Sequence, residues 1–306
     1  MTNSRRRRTG SEAGQTTLFG VLFLVVLICM MAAVIDVGAW MRADRKLQSD
    51  ADAAALAAAQ ELPYDTGLAI AKAVEYGTKN GGSVTAANVS FETKVMPNDI
   101  VVVRATKSAP GVFTGLFGVN SVDVHATAKA RAGSLNQARY AAPIAVDIMH
   151  EKLQCSPLPC FNQQTTIDLE KTGPGAFRLI NLDRSHGGTG QQTLADWILH
   201  GYQGLMPLDN YYSDPGAKFN ASQVVSSLNE RIGDTLLFPV YDDTRKSGAN
   251  FDYHVIGWVG FTVTGFDAHG SSGKVFGYFT SVIWEGIMGS PDGEGNFGAR
   301  TVALIE

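Results

Sequence analysis

The 306-residue sequence predicts an α+β chain: an amino-terminal transmembrane helix continuing into an alanine-rich helix, then a small α+β module and a mainly antiparallel, β-rich carboxy-terminal domain. Three observations predict it. Residues 18–35 (LFGVLFLVVLICMMAAVI) contain no charge, and residues 37–62 contain no proline and are dominated by strong helix formers. From residue 89 onward, short segments of alternating polarity are separated by glycine, proline and asparagine turns. The resulting division is a cytoplasmic basic segment (1–17), a transmembrane helix (18–40), its extension (41–62), the small module (63–137) and an extracytoplasmic β-rich domain (138–306).

At about 1.5 Å per residue, the 18-residue apolar run covers roughly 27 Å, close to the hydrocarbon thickness of a bilayer. Arg5, Arg6, Arg7 and Arg8 precede it, and cationic flanks resist translocation, so the amino end is expected in the cytoplasm and Trp40 near the outer interface. A cleaved secretory signal shares the basic start, but its apolar core usually runs about 7 to 15 residues, so an uncleaved anchor is the expectation. In the extension, Leu47, Ala51, Ala54, Ala58 and Leu62 recur at helical spacing, with Arg45, Asp52 and Gln60 turned elsewhere. Such a smooth stripe serves either a stalk packed on its own domain or a face that admits a partner helix. Pro63 is expected to end the helix.

These residues carry a resemblance. Glu12-Ala13-Gly14-Gln15, the apolar run, Asp36-Val37-Gly38 and the run from Leu47-Gln48 through Asp52-Ala53-Ala54-Ala55-Leu56 to Ala59 resemble the amino-terminal segment of TadG-like and TadE-like proteins of bacterial tight-adherence (Tad/Flp) pilus systems. The resemblance is close over 12–62, and the region to about 133 is loosely similar to the same family's short α+β module. It implies a membrane-anchored accessory or minor-pilin-like component with no enzymatic activity, partnered by the lipid bilayer and by other pilus-assembly or pilin-like proteins. Two features depart from the pattern. Prepilins cut by their dedicated peptidase usually carry glutamate at the fifth position after the glycine, where this chain has Phe19. Some TadG-like proteins also end in an adhesion domain whose metal-binding strand closes on Asp-x-Ser-x-Ser. Here Asp183-Arg184-Ser185-His186-Gly187 lacks the last ligand, so a polar turn is expected.

In the module, residues 66–79 place Leu68, Ala71, Ala73 and Val74 among polar groups and read as a short helix, closed by Asn80-Gly81-Gly82. Residues 89–95 and 100–107 read as a hairpin about Pro97-Asn98-Asp99. Over 122–132, Val122, Val124, Ala126, Ala128, Ala130 and Ala132 alternate with Asp123, His125, Thr127, Lys129 and Arg131, which predicts one dry and one wet face. The pattern relaxes over 133–137. Beyond it, strands are expected at 140–146, 165–169, 177–182, 235–241, 253–266 and 274–284, with short helices near 194–200 and 222–229. The 253–266 strand has apolar residues on both sides, as a strand covered on both faces does. Residues 231–242 and 253–257 are also similar to the carboxy-terminal half of actinobacterial TadE/G-like proteins.

A formal charge of −4 lacks the basic footprint of nucleic-acid binding, so no nucleic acid is expected as a partner. With three cysteines there is neither a disulfide-dense scaffold nor a four-cysteine zinc site. Cys155 and Cys160, in an oxidising compartment, are expected to form a disulfide, with a metal pair or redox site as alternatives, and Cys29 lies in the span. His125, His150, His186, His200, His254 and His269 are scattered. Residues 187–190 (GGTG) lack the lysine of a phosphate loop, residues 292–296 (DGEGN) lack the distant glutamate of a calcium loop, and Asp242-Asp243 has no partner visible in sequence. No catalytic, cofactor or metal residues are assigned, and no enzyme is expected. The alternative function is a membrane-tethered surface binding module for a glycan or protein, with an exposed Trp or Tyr of the carboxy half stacking on sugar.

Overall fold

The structure, a computed structural model, describes residues 12–81, 84–155, 159–169, 178–214, 218–247, 250–269, 272–289 and 295–305. One helix, α1 (Glu12–Ala59), runs unbroken through the apolar segment and the alanine-rich segment. Its stretch Thr16–Ala59 is long and apolar enough to cross a membrane, and none of its most apolar window is buried. The helix ends at Ala59, before Pro63, where the amides of Glu61 and Leu62 donate to the carbonyls of Ala58 and Ala59 in a tighter turn and Leu62 is fully buried.

α2 (Thr66–Asn80) starts where the Asp65 carboxylate accepts the Leu68 amide at 2.8 Å and ends at Gly81, whose positive φ of 156° suits the cap. Its buried face is Ala69, Ala73 and Gly77, while Leu68 and Ala71 are exposed. Close packing decides this: a Cβ on Gly77 would lie 2.5 Å from that of Val84, so only the smallest residues fit.

The strands follow in order: β1 (Val89–Glu92), β2 (Ile100–Pro110), β3 (Ser121–Ala138), β4 (Val146–Asp147), β5 (Gln164–Asp168), β6 (Met206–Pro207), β7 (Asn210–Tyr212), β8 (Thr235–Ser247), β9 (Asn250–His269), β10 (Ser272–Thr280), β11 (Val282–Ile283), β12 (Gly286–Met288) and β13 (Ala299–Leu304). Two helices, α3 (Gln191–His200) and α4 (Ser222–Glu230), lie between β5 and β8 in the chain. Among the described residues, one sheet has the order β1-β2-β3-β13-β11, with β6 and β12 pairing β3. The other has the order β4-β8-β9-β10-β5, with β7 pairing β9. Pairing is antiparallel except for β11 with β13 and β4 with β8, so the chain is α+β with a β-rich carboxy-terminal region.

β3 continues through 133–137, where the alternation relaxes, because it gains new partners there: β13 pairs it from Ala130 to Ser134, and β12 and β6 pair its end. Arg131, expected on the wet face, is buried, since its Nε meets the Asp99 carboxylate at 3.1 Å. Of the strands expected at 140–146 and 177–182, residues 141–145 and 179–182 are core without being regular strands, Val146 enters the short β4, and residue 177 lies outside the described residues. Ile144, Leu179 and Ile180 are fully buried but make isolated bridges. The segment expected at 274–284 divides at Ser281 into β10 and β11. β9 is covered on both sides: Ile256, Val259, Phe261 and Val263 enter a core with Phe238 and Phe279, while Val255 and Trp258 enter another with Tyr211 and Tyr253.

Candidate functional site: the helix seat and the hairpin tip

The face Leu47, Ala51, Ala54, Ala58 and Leu62 lies on the chain's own module, each residue at most 1% exposed. It packs with Val101, Val103, Ala105, Ala126, Ala128 and Ala130 of β2 and β3, where small residues on both surfaces let backbones approach. Gln48 adds a directional contact, its amide donating to the Thr127 carbonyl at 3.0 Å. Each fully buried leucine contributes about 2 kcal/mol, so this seat holds the helix at the surface of the sheet. The stripe is occupied by the same chain and is not an open groove.

Nearer the apolar run, a second attachment forms. Trp40 is half-buried and its indole Nε1 donates to the Pro110 carbonyl at 3.2 Å. One helical turn closer to the run stands Asp36, 1% exposed. Its carboxylate accepts the amides of Val112 (3.1 Å), Phe113 (2.9 Å) and Thr114 (2.6 Å), and the Thr114 hydroxyl at 2.8 Å. Three successive amides converging on one carboxylate form an anion nest, here filled by a side chain of the helix. Gly111 admits this geometry, since a Cβ there would lie 2.7 Å from the Val119 carbonyl oxygen and 3.3 Å from the Trp40 ring. Sequence reasoning marked Asp36 only as part of a motif. Its partners lie 76 to 78 residues away, and the uncharged turn 111–119 was the one local sign of them.

Cys155 and Cys160 form a disulfide, with Cα atoms 5.6 Å apart. A loop this short constrains little unfolded-state entropy, giving about 2 kcal/mol. Cys29 is exposed on α1. Arg5, Arg6, Arg7 and Arg8 lie outside the described residues, as do residues 292–294 of the acidic turn. At 183–187 the Asp183 carboxylate accepts the Ser185 amide at 2.9 Å and the Asn181 side-chain amide donates to the carbonyls of Ser185 and Gly187, which makes this a polar turn. In the 187–190 loop the Thr189 hydroxyl donates to Asp214 at 2.9 Å. Among the described residues no three His, Cys, Asp or Glu side chains come together as a metal would require.

Two open clefts line the β-rich region. One, of about 290 Å³, is bounded by Asp147, Arg178, Tyr241, Asp242, Asp243 and Tyr253. Beside it the His254 imidazole meets Asp242 at 2.7 Å. Burial pushes the Tyr241 and Tyr253 phenols up from their ordinary values; the Tyr241 hydroxyl donates to the Asp147 carboxylate at 3.2 Å, and the Tyr253 hydroxyl accepts the Arg178 amide at 3.3 Å. The other cleft, about 440 Å³, is bounded by His150, Glu151, Thr165, Thr166, Asp168 and Arg178. Its polar groups are largely engaged within the fold: His150 meets the Thr166 carbonyl at 3.2 Å, and Arg178 donates to that of Asp168 at 3.1 Å.

The fold and the seat thus define a class: an α+β protein carried on an amino-terminal helix long and apolar enough to cross a membrane. Residues 14–61, which hold the apolar run, Asp36 and the alanine-rich face, match the family model described as "Putative Flp pilus-assembly TadE/G-like", so this segment is similar to that family. No curated protein and no solved structure matches the chain.

Proposed function

We propose that this chain is a single-pass, non-enzymatic membrane component of a Tad/Flp-type pilus assembly system, an accessory or minor-pilin-like protein. Its basic amino terminus (1–17) stays in the cytoplasm, residues 18–40 cross the bilayer, 41–62 form the extension, and the bodies 63–137 and 138–306 stand outside. The observation that carries this reading is the coincidence of the TadE/G-like segment with one helix whose most apolar window has no buried residue and whose second half is seated on its own sheet. A helix fixed this way transmits the position of the exported body to the membrane and to neighbouring helices. With the alanine stripe covered, helix contacts with other pilus components fall to the exposed apolar faces within the span, where van der Waals packing drives association. In the alternative of a membrane-tethered surface binding module for a glycan or protein, stacking on sugar would fall to surface rings such as Tyr140, since Trp258, Tyr211, Tyr253, Phe238, Phe261 and Phe279 are fully buried core rings. Deleting the chain should abolish sheared surface filaments, and the intact chain should restore them. Filaments unchanged by its loss would contradict the proposal.

A further inference from the structure

The turn between β2 and β3, residues 111–120 (GVFTGLFGVN), contains no charged residue. Val112, Phe113, Leu116, Phe117 and Val119 are all exposed there, Leu116 at 83% and Phe117 at 71%. Such a cluster on one short turn marks a contact surface. The charged residues of the hairpin stop just before it: Lys107 and Asp123 are exposed on the strands and nothing charged follows toward the tip.

The tethers set where this tip stands. Going toward the amino end of α1, Gln48 holds Thr127, Trp40 holds Pro110 and Asp36 holds residues 112–114, so the hairpin runs down the helix toward the apolar run. Asp36 is the residue immediately after that run. The tip's apolar surface therefore lies beside the last part of the exposed apolar surface of α1, which runs past Asp36 through Val37 to Met41. A carboxylate at this depth is tolerable because four donors satisfy it.

We propose that the β2–β3 tip is a second membrane contact, with Leu116 and Phe117 entering the interfacial layer of the leaflet from which α1 emerges. The occupant is the headgroup and acyl boundary of the bilayer, chosen over a protein partner by the tip's place beside the exposed apolar surface of α1 and by the absence of charge. One helix alone leaves the exported body free to tilt and spin about its axis. A second, shallow contact held to that helix through Asp36 fixes both, so the body has one face toward the membrane. The inference rests on reading α1 as a span.

The test uses the full chain with Cys29→Ala, reconstituted in phosphatidylcholine and phosphatidylglycerol vesicles whose acyl chains are brominated or not. An environment-sensitive fluorophore is placed at Phe117→Cys, at Leu116→Cys as a second tip site, and at the exposed Ile232→Cys as a remote one. The expected result is at least about twofold stronger quenching by brominated lipid at both tip sites than at Ile232, as for a group a few ångströms into the interface, and loss of that excess in Asp36→Ala. Vesicles that float with the protein while the tip probes match Ile232 overturn the tip contact and leave the anchor standing. A tip probe shielded only as protein concentration rises, without lipid quenching, replaces the bilayer with a protein partner. Protein that fails to float with the vesicles overturns the anchor and the tip contact together.

Discussion

Replacing Asp36 by alanine removes the single acceptor on which the hairpin tip hangs. Four bonds are lost, three from backbone amides, at 2.6 to 3.1 Å. A bond to a charged group is worth about 1.5 to 3 kcal/mol. The four are not additive, because the released amides are rehydrated when the turn opens. A net local loss of about 3 kcal/mol follows, which is roughly a 100-fold increase in the open population at about 1.4 kcal/mol per decade. Helix propensity acts the other way, alanine being better than aspartate by about half a kcal/mol, so α1 itself does not weaken. Hydrogen exchange of the full chain in nanodiscs separates these effects. Amides 112–114 should exchange about 100-fold faster, with the core of β2, β3 and residues 47–59 of α1 unchanged. Asp36→Asn, which keeps one acceptor oxygen, should fall between. A change below about threefold at 112–114, or an equal acceleration throughout the module, would refute the tether.

Other outcomes follow from the same packing. Ala58→Leu introduces a branched side chain where there is no space, and should destabilise the helix seat by about 1 to 3 kcal/mol, read as a lowered denaturation midpoint in detergent, whereas Arg45→Ala on the exposed side should change little. Asp99→Ala leaves the Arg131 guanidinium buried without its carboxylate and frees the amides of Lys94 and Val95, so a loss of about 3 to 5 kcal/mol is expected, with partial rescue by Arg131→Met. Burial pushes the Tyr211 phenol up to about 12, and raises Tyr241 and Tyr253 as well. Because these pKa values are higher in the folded state than in the unfolded one, their contribution is complete below about pH 10 and is lost as pH rises through the folded values. An alkaline titration should therefore show delayed phenolate absorbance and falling stability above pH 10. Three tyrosines ionising normally in the folded chain would contradict the burial.

What the sequence made legible was what short-range periodicity encodes. The apolar run, the stripe from Leu47 to Leu62 and the alternation of β3 as far as Ala130 repeat with the spacing of their own secondary structure. The cysteine pair was readable from its spacing and the shortage of further cysteines. Where the reading failed, a distant partner decided the outcome. Arg131 looks like a wet-face residue until Asp99 is brought beside it by strand pairing, and the continuation of β3 past Ala132 depends on β13, more than 160 residues later. Residues 141–145 and the described part of 177–182 show a different failure: hydrophobicity announced burial, which Ile144 and Leu179 have, but burial alone does not make a ladder. In the candidate site, the helix face could be read and its occupant could not, because a smooth alanine stripe suits a foreign helix and a native sheet equally well. Asp36 and the tip were joined only by the fold.

The central claim is that one helix holds the folded body outside the membrane with its basic end inside. Single cysteines at Ser4 and Ile232, in the Cys29→Ala chain expressed in intact cells, test it with a membrane-impermeant maleimide. The account predicts labelling at Ile232 before permeabilisation and at Ser4 only after it. Labelling at Ser4 in intact cells with Ile232 protected would contradict it, as would a mature chain from which residue 4 is missing.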